Sequence, residues 1–265
     1  FVQRAGKKIR ELVFDFDTDG YIAPDLTLLA EHIAGSGVGT GFTNWTYQQE
    51  PDSIVWVVRS DGVLTGMTYQ RGENVVAWHR HILGGAFSTG SAVVESVAAI
   101  SNSLASSKGE DSLYMIVKRT INGGTKRYVE IMQPFDFADD VEDAWFLDSA
   151  LQYSGGATTS LSGLSHLEGQ TVSILANGST HPDKVVSSGA ISLDRSVTKA
   201  TVGLKYTSAL QTMRIESGSA DGSAQGKVKR IQEITARFFQ TVGAEIGSSS
   251  SNTDIIPFRD ISMAM

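Results

Sequence analysis

The chain has 265 residues, 41% of them hydrophobic and 19% charged, with 27 glycines, a formal net charge of −7 and no cysteine. That length bounds one large or two modest domains, and a low charge content with abundant Gly and Ser suits an all-β protein rich in turns. The missing thiols exclude disulfide staples, thiolate zinc sites and cysteine catalysis, the acidity argues against a sequence-neutral grip on nucleic acid, and no apolar run reaches the roughly 18–20 residues of a membrane helix.

Lys8-Ile9-Arg10-Glu11-Leu12-Val13-Phe14 mixes exposed charges with β formers, so 2–16 reads as a strand after a turn. Asp15 to Gly20 reads as a turn. Asp15, Asp17 and Asp19 also copy the first half of a calcium loop, in which alternating carboxylates converge on one cation. The twelfth place, which needs a bidentate Glu, is Leu26, so an Asp-rich turn is the plainer reading.

Leu26 to Ile33 alone would pass for a short helix. Its echo of Asn74 to Ile82, with a His-Ile pair in each and strand-favouring Val75, Val76 and Trp78 in the second, points both toward strand. After the glycine-rich loop 35–41, the segments 45–48, 54–59, 64–70 and 74–81 form four successive strand candidates, with Asp61-Gly62 as a hairpin signal. His79 and His81, at i and i+2, point to one face of their strand and could hold a transition metal if a third ligand, such as His32, joined them. Paired surface or interface histidines are the alternative.

The run Asp52-Ser53-Ile54-Val55-Trp56-Val57-Val58-Arg59 returns as Asp111-Ser112-Leu113-Tyr114-Met115-Ile116-Val117-Lys118. A phrase repeated at such spacing marks stacked supersecondary units, and four short antiparallel strands make one propeller blade. A second round follows at 94–100, 112–119 and 126–132, turned by Asn122-Gly123-Gly124, with the polar stretch 101–111 as a surface loop.

Beyond Pro134 the texture changes. Asp136, Asp139, Asp140, Glu142 and Asp143 form an acidic connector that could seat an acid/base pair but reads more simply as a solvated run. From 147 to 205 the chain is turn-rich β, with strands at 171–176, 184–186, 190–193 and 200–204 punctuated by Asn177-Gly178 and Ser188-Gly189, the pattern of a small inserted barrel. Ser165-His166 lacks the Gly-x-Ser-x-Gly elbow of a serine hydrolase. The segments 210–216 and 226–241 read as returning strands, although 226–241 could also be helical. Lys227-Val228-Lys229-Arg230 is a basic cluster that could touch phosphates or form a solvated or subunit-facing edge, with Lys227 and Lys229 on one face. The divisions are 1–146 for propeller blades, 147–206 for the inserted barrel and 207–265 for strands returning to the propeller or a platform. The start on Phe1 within a strand-like pattern and the uncapped end at Met265 suggest a piece of a longer protein.

Several phrases resemble one protein family in order along the chain: Tyr47 to Trp56, Trp78-His79-Arg80-His81, Val117 to Gly123, Leu164 to Gly169, Gln225 to Ile231 and Ile256 to Asp260. They are similar to the tail nozzle, or tail stabilisation hub, proteins of short-tailed phages and prophages. The segment near 147–205 looks like the small β-barrel labelled as a ubiquitin-activating-enzyme half-domain, without the cysteine that ubiquitin chemistry needs.

The resemblance implies an all-β fold, a partial β-propeller with an inserted barrel, in a hexameric ring below the tail adaptor of the virion, with DNA passing transiently through the channel. It implies no cofactor and no catalysis. Asp136, Asp139, Asp140 and Asp143 are then candidates to face the channel, and Trp45, Trp145, Lys227 and Lys229 candidates for subunit contacts. A tail-borne carbohydrate or receptor binder is the alternative, and aromatic platforms beside carboxylates would favour it.

Overall fold

A computed structural model describes residues 1–3, 6–35, 41–101, 109–134, 140–214, 216, 223, 226–239, 241 and 243–256. The described chain is mostly β, in several antiparallel sheets, and none of them closes on itself.

The first large sheet is a meander of β3 (Phe42–Gln48), β4 (Ile54–Arg59), β5 (Leu64–Gln70) and β6 (Val75–His81), in the order β3-β4-β5-β6. It is covered on both faces, which explains why β4 reads as an unbroken apolar run rather than an alternating one. Trp56 and Val58 enter one core, and Val57 enters another with Ile9, Met67, Phe42 and Trp78. Ile9 belongs to the N-terminal segment, whose β pairings among the described residues are the bridges Val2↔Ile9 and Arg10↔Asp25 and the hairpin of β1 (Val13–Asp15) with β2 (Gly20–Ile22). The continuous strand expected over 2–16 is therefore confined to its last residues.

The expectation of strand at 26–33 is wrong. The segment wraps through turns into α1 (Glu31–Ala34). Asp25 accepts from both the backbone N–H and the hydroxyl of Thr27, Leu29 takes φ +65°, and Gly35, at φ +91°, donates its N–H to the Glu31 carbonyl. An Asx turn at one end and a left-handed cap at the other bend the chain where a strand would extend it. The echo with 74–82 rests on residue identity alone.

After the short hairpin of β7 (Ala86–Phe87) and β8 (Gly90–Ser91) comes a three-stranded sheet of β9 (Val93–Ile100), β10 (Ser112–Ile121) and β11 (Gly124–Ile131), in the order β11-β10-β9. Its tight turn carries Asn122 at φ +48° and Gly123 at φ +71°, the mirror-image geometry that matches strand twist. Leu113, Met115 and Val117 meet Trp56, Val58 and Leu64 in one shared core. The open edge of β9 is capped by side chains of β3: Val97 N–H donates to Asn44 Oδ1 at 3.0 Å and Ala99 N–H to Thr46 Oγ1 at 3.0 Å.

Both copies of the repeated phrase are thus flanked by the strands before and after them. Their matched residues, Trp56 and Met115, Val58 and Val117, all turn into that one core. Rotation about a propeller axis would instead turn matched side chains in the same sense, so that Met115 would face away from the first sheet. The repeat marks two sheets packed face to face. The second Asp also has its own role, because Asp111 Oδ2 accepts from the N–H groups of Gln49 and Glu50, tying the second sheet to the loop that precedes the first phrase.

The third unit is a four-stranded sheet of β12 (Asp148–Ser162), β13 (Thr171–Ala176), β14 (Ser179–Val185) and β15 (Ala190–Leu204), in the order β12-β15-β13-β14. Its core, including Leu164, Leu167, Val172, Val186, Val197 and Val202, is drawn from its own residues. β12 and β14 stand at its edges, so the hydrogen bonding describes an open sheet where a barrel was expected, and register shifts along β12 bend the long strands over the core. A final hairpin joins β16 (Ala244–Ser249) and β17 (Asn252–Ile256). Between them, the described residues of 207–243 form no strand or helix, against the strands expected at 210–216 and 226–241. Without a partner strand or apolar face beside it, an extended stretch has nothing to fix its register.

Candidate functional site

His79 and His81 do share a face of β6. His79 Nδ1 and His81 Nε2 lie 2.7 Å apart, one donating to the other, and both rings contact Trp56, with ring centroids 5.6 and 5.1 Å away. Gly66, opposite His79 in β5, supplies the space, since a Cβ there would stand 2.1 Å from His79 Cε1. Trp56 Nε1 donates to Gln48 Oε1 and Gln48 Nε2 donates to the Asp111 carbonyl, both at 2.7 Å, so the pair is joined to the second sheet through one chain of contacts. Burial lowers the pKa of His79, and burial with the neighbouring His79 lowers that of His81 to about 4. The pair is neutral at pH 7.

His32 does not complete a metal site with them. It lines a hollow of about 340 Å3 with Asp25, Leu26, Val76 and Trp78, and strand alternation puts Val76 and Trp78 on the opposite face of β6 from His79 and His81. Among the described residues no group of three or more His, Cys, Asp or Glu converges as a metal-binding set. Replacing Gly66 with Ala should push the His79 ring off Trp56 and cost about 1–2 kcal/mol, an overpacking penalty. Denaturant unfolding with Trp fluorescence reads both effects, and an unchanged midpoint and spectrum would contradict the contact.

Asp15, Asp17 and Asp19 lie in and around the β1–β2 turn, where Asp15 Oδ2 accepts from the Thr18 hydroxyl at 2.8 Å and Asp19 takes φ +46°. Asp25, next to the missing twelfth position, is engaged elsewhere. Its pKa falls to about 2 because bonds from Lys8 and Thr27 outweigh the opposing effect of burial, the largest single influence.

Asp136 and Asp139 lie outside the described residues. Asp140 caps a short 3-10 turn by accepting from Glu142 N–H, and Asp143 pairs with Lys199 of β15. The acidic run therefore serves partly as a brace for the third sheet. Trp145 is half-buried, whereas Trp45 is 51% exposed on the edge strand β3 beside exposed Tyr47. Lys227 and Lys229 lie on an exposed segment, with Lys229 Nζ 3.9 Å from Glu216 Oε1.

The most buried charged group among the described residues is one that sequence reasoning passed over. Arg119 is fully buried. Its two terminal nitrogens grip both oxygens of Glu130, and its Nε donates to the Gly84 carbonyl at 2.8 Å. The N–H of the same Gly84 donates to Asp148 Oδ2 at 2.7 Å. Burial raises the pKa of Asp148, opposed by the Gly84 N–H and by Arg119. Gly84 admits no side chain, since a Cβ would lie 2.6 Å from the Lys205 carbonyl oxygen. This knot fastens the second sheet to both long strands of the third. The available signal was the alternation Leu113, Met115, Val117, Arg119, Ile121, which places Arg119 on the inward face.

Large apolar side chains are conspicuous outside the sheets. Leu210 is 94% exposed, Met213 90%, Val228 101% and Phe239 81%. Among the described residues no helix is long and apolar enough to cross a membrane. Compared with known proteins, the chain matches no family model and no curated protein.

Proposed function

We propose that this chain is a non-enzymatic structural subunit of a short-tailed phage or prophage tail, a nozzle or hub that works as a multi-copy ring around the path of the ejected DNA. The observation that carries the assembly part is the set of large apolar side chains left in water outside the sheets, Leu210, Met213, Val228 and Phe239. The resemblance supplies the tail, the ring and the adaptor above it, and the finer reading of propeller blades with a barrel-like insert rests on it and on the four-stranded meander. The repeated phrase lends the propeller no support, since both copies turn into one shared core.

The net charge of −7 suits a conduit, because an acidic wall repels phosphates at close range and lets the duplex slide. Of the described channel candidates Asp140 is the better one, as Asp143 is neutralised by Lys199. Particle imaging with a labelled copy is the test. A ring at the tail tip is the expected position, and absence from the particle would end the proposal. Asp140→Lys should slow genome ejection, and unchanged kinetics would remove that residue from the channel. A receptor-binding subunit is the second reading, favoured by the hollow that sets Trp78 beside Asp25. Label at fibre tips and saturable sugar binding lost in Trp78→Ala would support it.

A further inference from the structure

Two hairpin turns of the chain carry the pair Asn-Gly. Asn122-Gly123 joins β10 to β11, and Asn177-Gly178 joins β13 to β14. Their backbones match closely: Asn122 and Asn177 take φ +48° and +46°, and Gly123 and Gly178 take φ +71° and +73°. Asn before Gly is also the dipeptide in which the next backbone nitrogen is least shielded from the side-chain amide, because glycine has no Cβ. Equal turns with equal residues would age alike. The surroundings make them unequal.

Asn177 is anchored. Its Oδ1 accepts from the backbone N–H groups of Thr198 and Lys199 at 3.1 and 3.0 Å, and its own N–H donates to the Lys199 carbonyl at 2.9 Å. Beside it, Gly178 is covered by the 3-10 turn Val141–Asp143, since a Cβ there would lie 2.8 Å from Val141 Cγ1. Asn122 is exposed, and its side chain makes no hydrogen bond among the described residues. A Cβ on Gly123 would meet nothing within 4 Å. Asn74 supplies a contrast in sequence. It is also exposed, at φ +55°, but is followed by Val75, whose branched side chain screens its own backbone nitrogen.

We infer that Asn122 is a site of spontaneous covalent modification, deamidation through a cyclic imide, and that the fold protects Asn177 from the same reaction. The Gly123 nitrogen gives up its proton to hydroxide and attacks Asn122 Cγ. The new C–N bond closes a five-membered ring as the bond to the amide nitrogen breaks, and that nitrogen leaves as ammonia after taking a proton from water. A second water molecule then opens the ring at one of its two carbonyls. One opening gives aspartate. The other gives isoaspartate, in which the main chain runs through the former side chain. Either product places a carboxylate at the turn, and isoaspartate also lengthens the link between the two strands that Arg119 and Glu130 clamp together.

The test holds the full-length protein in warm, mildly alkaline buffer and samples it over days by peptide mass mapping and isoaspartyl methylation. In the folded chain the Asn122 peptide should convert at least about tenfold faster than the Asn177 peptide, since the reaction depends on bringing the attacking and attacked atoms into line. In denaturant the two rates should converge, because the anchor on β15 is then gone. Asn122→Gly keeps a residue that accepts the positive φ of the turn, and it should remove the early acidic species seen on anion exchange. Four results overturn the inference: equal conversion of both sites in the folded chain, conversion of Asn122 only after unfolding, rates that stay apart in denaturant, or an early acidic species that persists in Asn122→Gly.

Discussion

Arg119→Ala should lower the stability of the folded chain by about 3–5 kcal/mol, the range for breaking a buried ion pair from one side. The guanidinium is fully buried and serves three acceptors, both Glu130 oxygens and the Gly84 carbonyl. Its removal leaves a carboxylate with 15% side-chain exposure facing a void, and leaves the raised Asp148 carboxyl without the cation that opposes the rise. Most of the loss comes from these stranded groups rather than from the net worth of the pair. Replacing Arg119 and Glu130 together with Met should therefore recover much of it, and Arg119→Lys, which keeps the charge but not the fork, should fall between. Because folded domains hold only about 5–15 kcal/mol, Arg119→Ala could unfold outright, and the paired Met variant then carries the test. Denaturant midpoints decide. Arg119→Ala within about 1 kcal/mol of the parent, or a paired variant no better than the single one, would contradict the knot.

The same residue shows where the sequence was legible and where it was not. Local chemistry could be read directly. Asn122-Gly123, Asn177-Gly178 and Ser188-Gly189 all take the positive φ values that their turn signals imply, and strands fall at nearly every apolar run between those turns. The i, i+2 placement of His79 and His81 on one face also held, because it depends only on strand geometry. Arg119 was hidden because one of its acceptors, the Gly84 carbonyl, comes from a loop 35 residues away and leads on to Asp148 of the third sheet, and beside Lys118 it resembles an exposed basic stop. Residues 26–33 misled for a related reason: the fold there is set by an Asx turn and a left-handed glycine, whereas the echo compared side-chain identities. The repeat located two equivalent strands but could not give their relative orientation, which lies in the shared core of Trp56, Val58, Met115 and Val117. For 226–241 the periodicity was ambiguous, and its exposed apolar residues find no partner strand within the described chain.

Acid should loosen the first two sheets before it protonates the paired carboxylates. His81 titrates near pH 6.5 when unfolded and near pH 4 in the fold, and His79 shifts in the same direction. As the pH falls below 6.5 the unfolded chain takes up protons that the folded chain resists, so stability is full above that pH and drains until the folded histidines accept charge. For His81 the shift amounts to about 2–3 kcal/mol at most. The geometry gives the cause. One ring nitrogen donates to the other across 2.7 Å, and with both rings charged two N–H groups would confront each other there, beside Trp56. The other shifted groups separate by window or by sign. Glu95 and Asp25 have folded values of about 2, so their losses begin only near their ordinary values of 4.5 and 3.8, while Asp148, raised by burial, gains as acid is added and partly offsets the histidines. Denaturant midpoints between pH 7 and 4.5 should therefore fall steadily in the parent chain and stay nearly flat when His79 and His81 are both Gln. A parent chain as stable at pH 4.5 as at 7, or a double variant with the parent's slope, would show that the pair does not set the acid response.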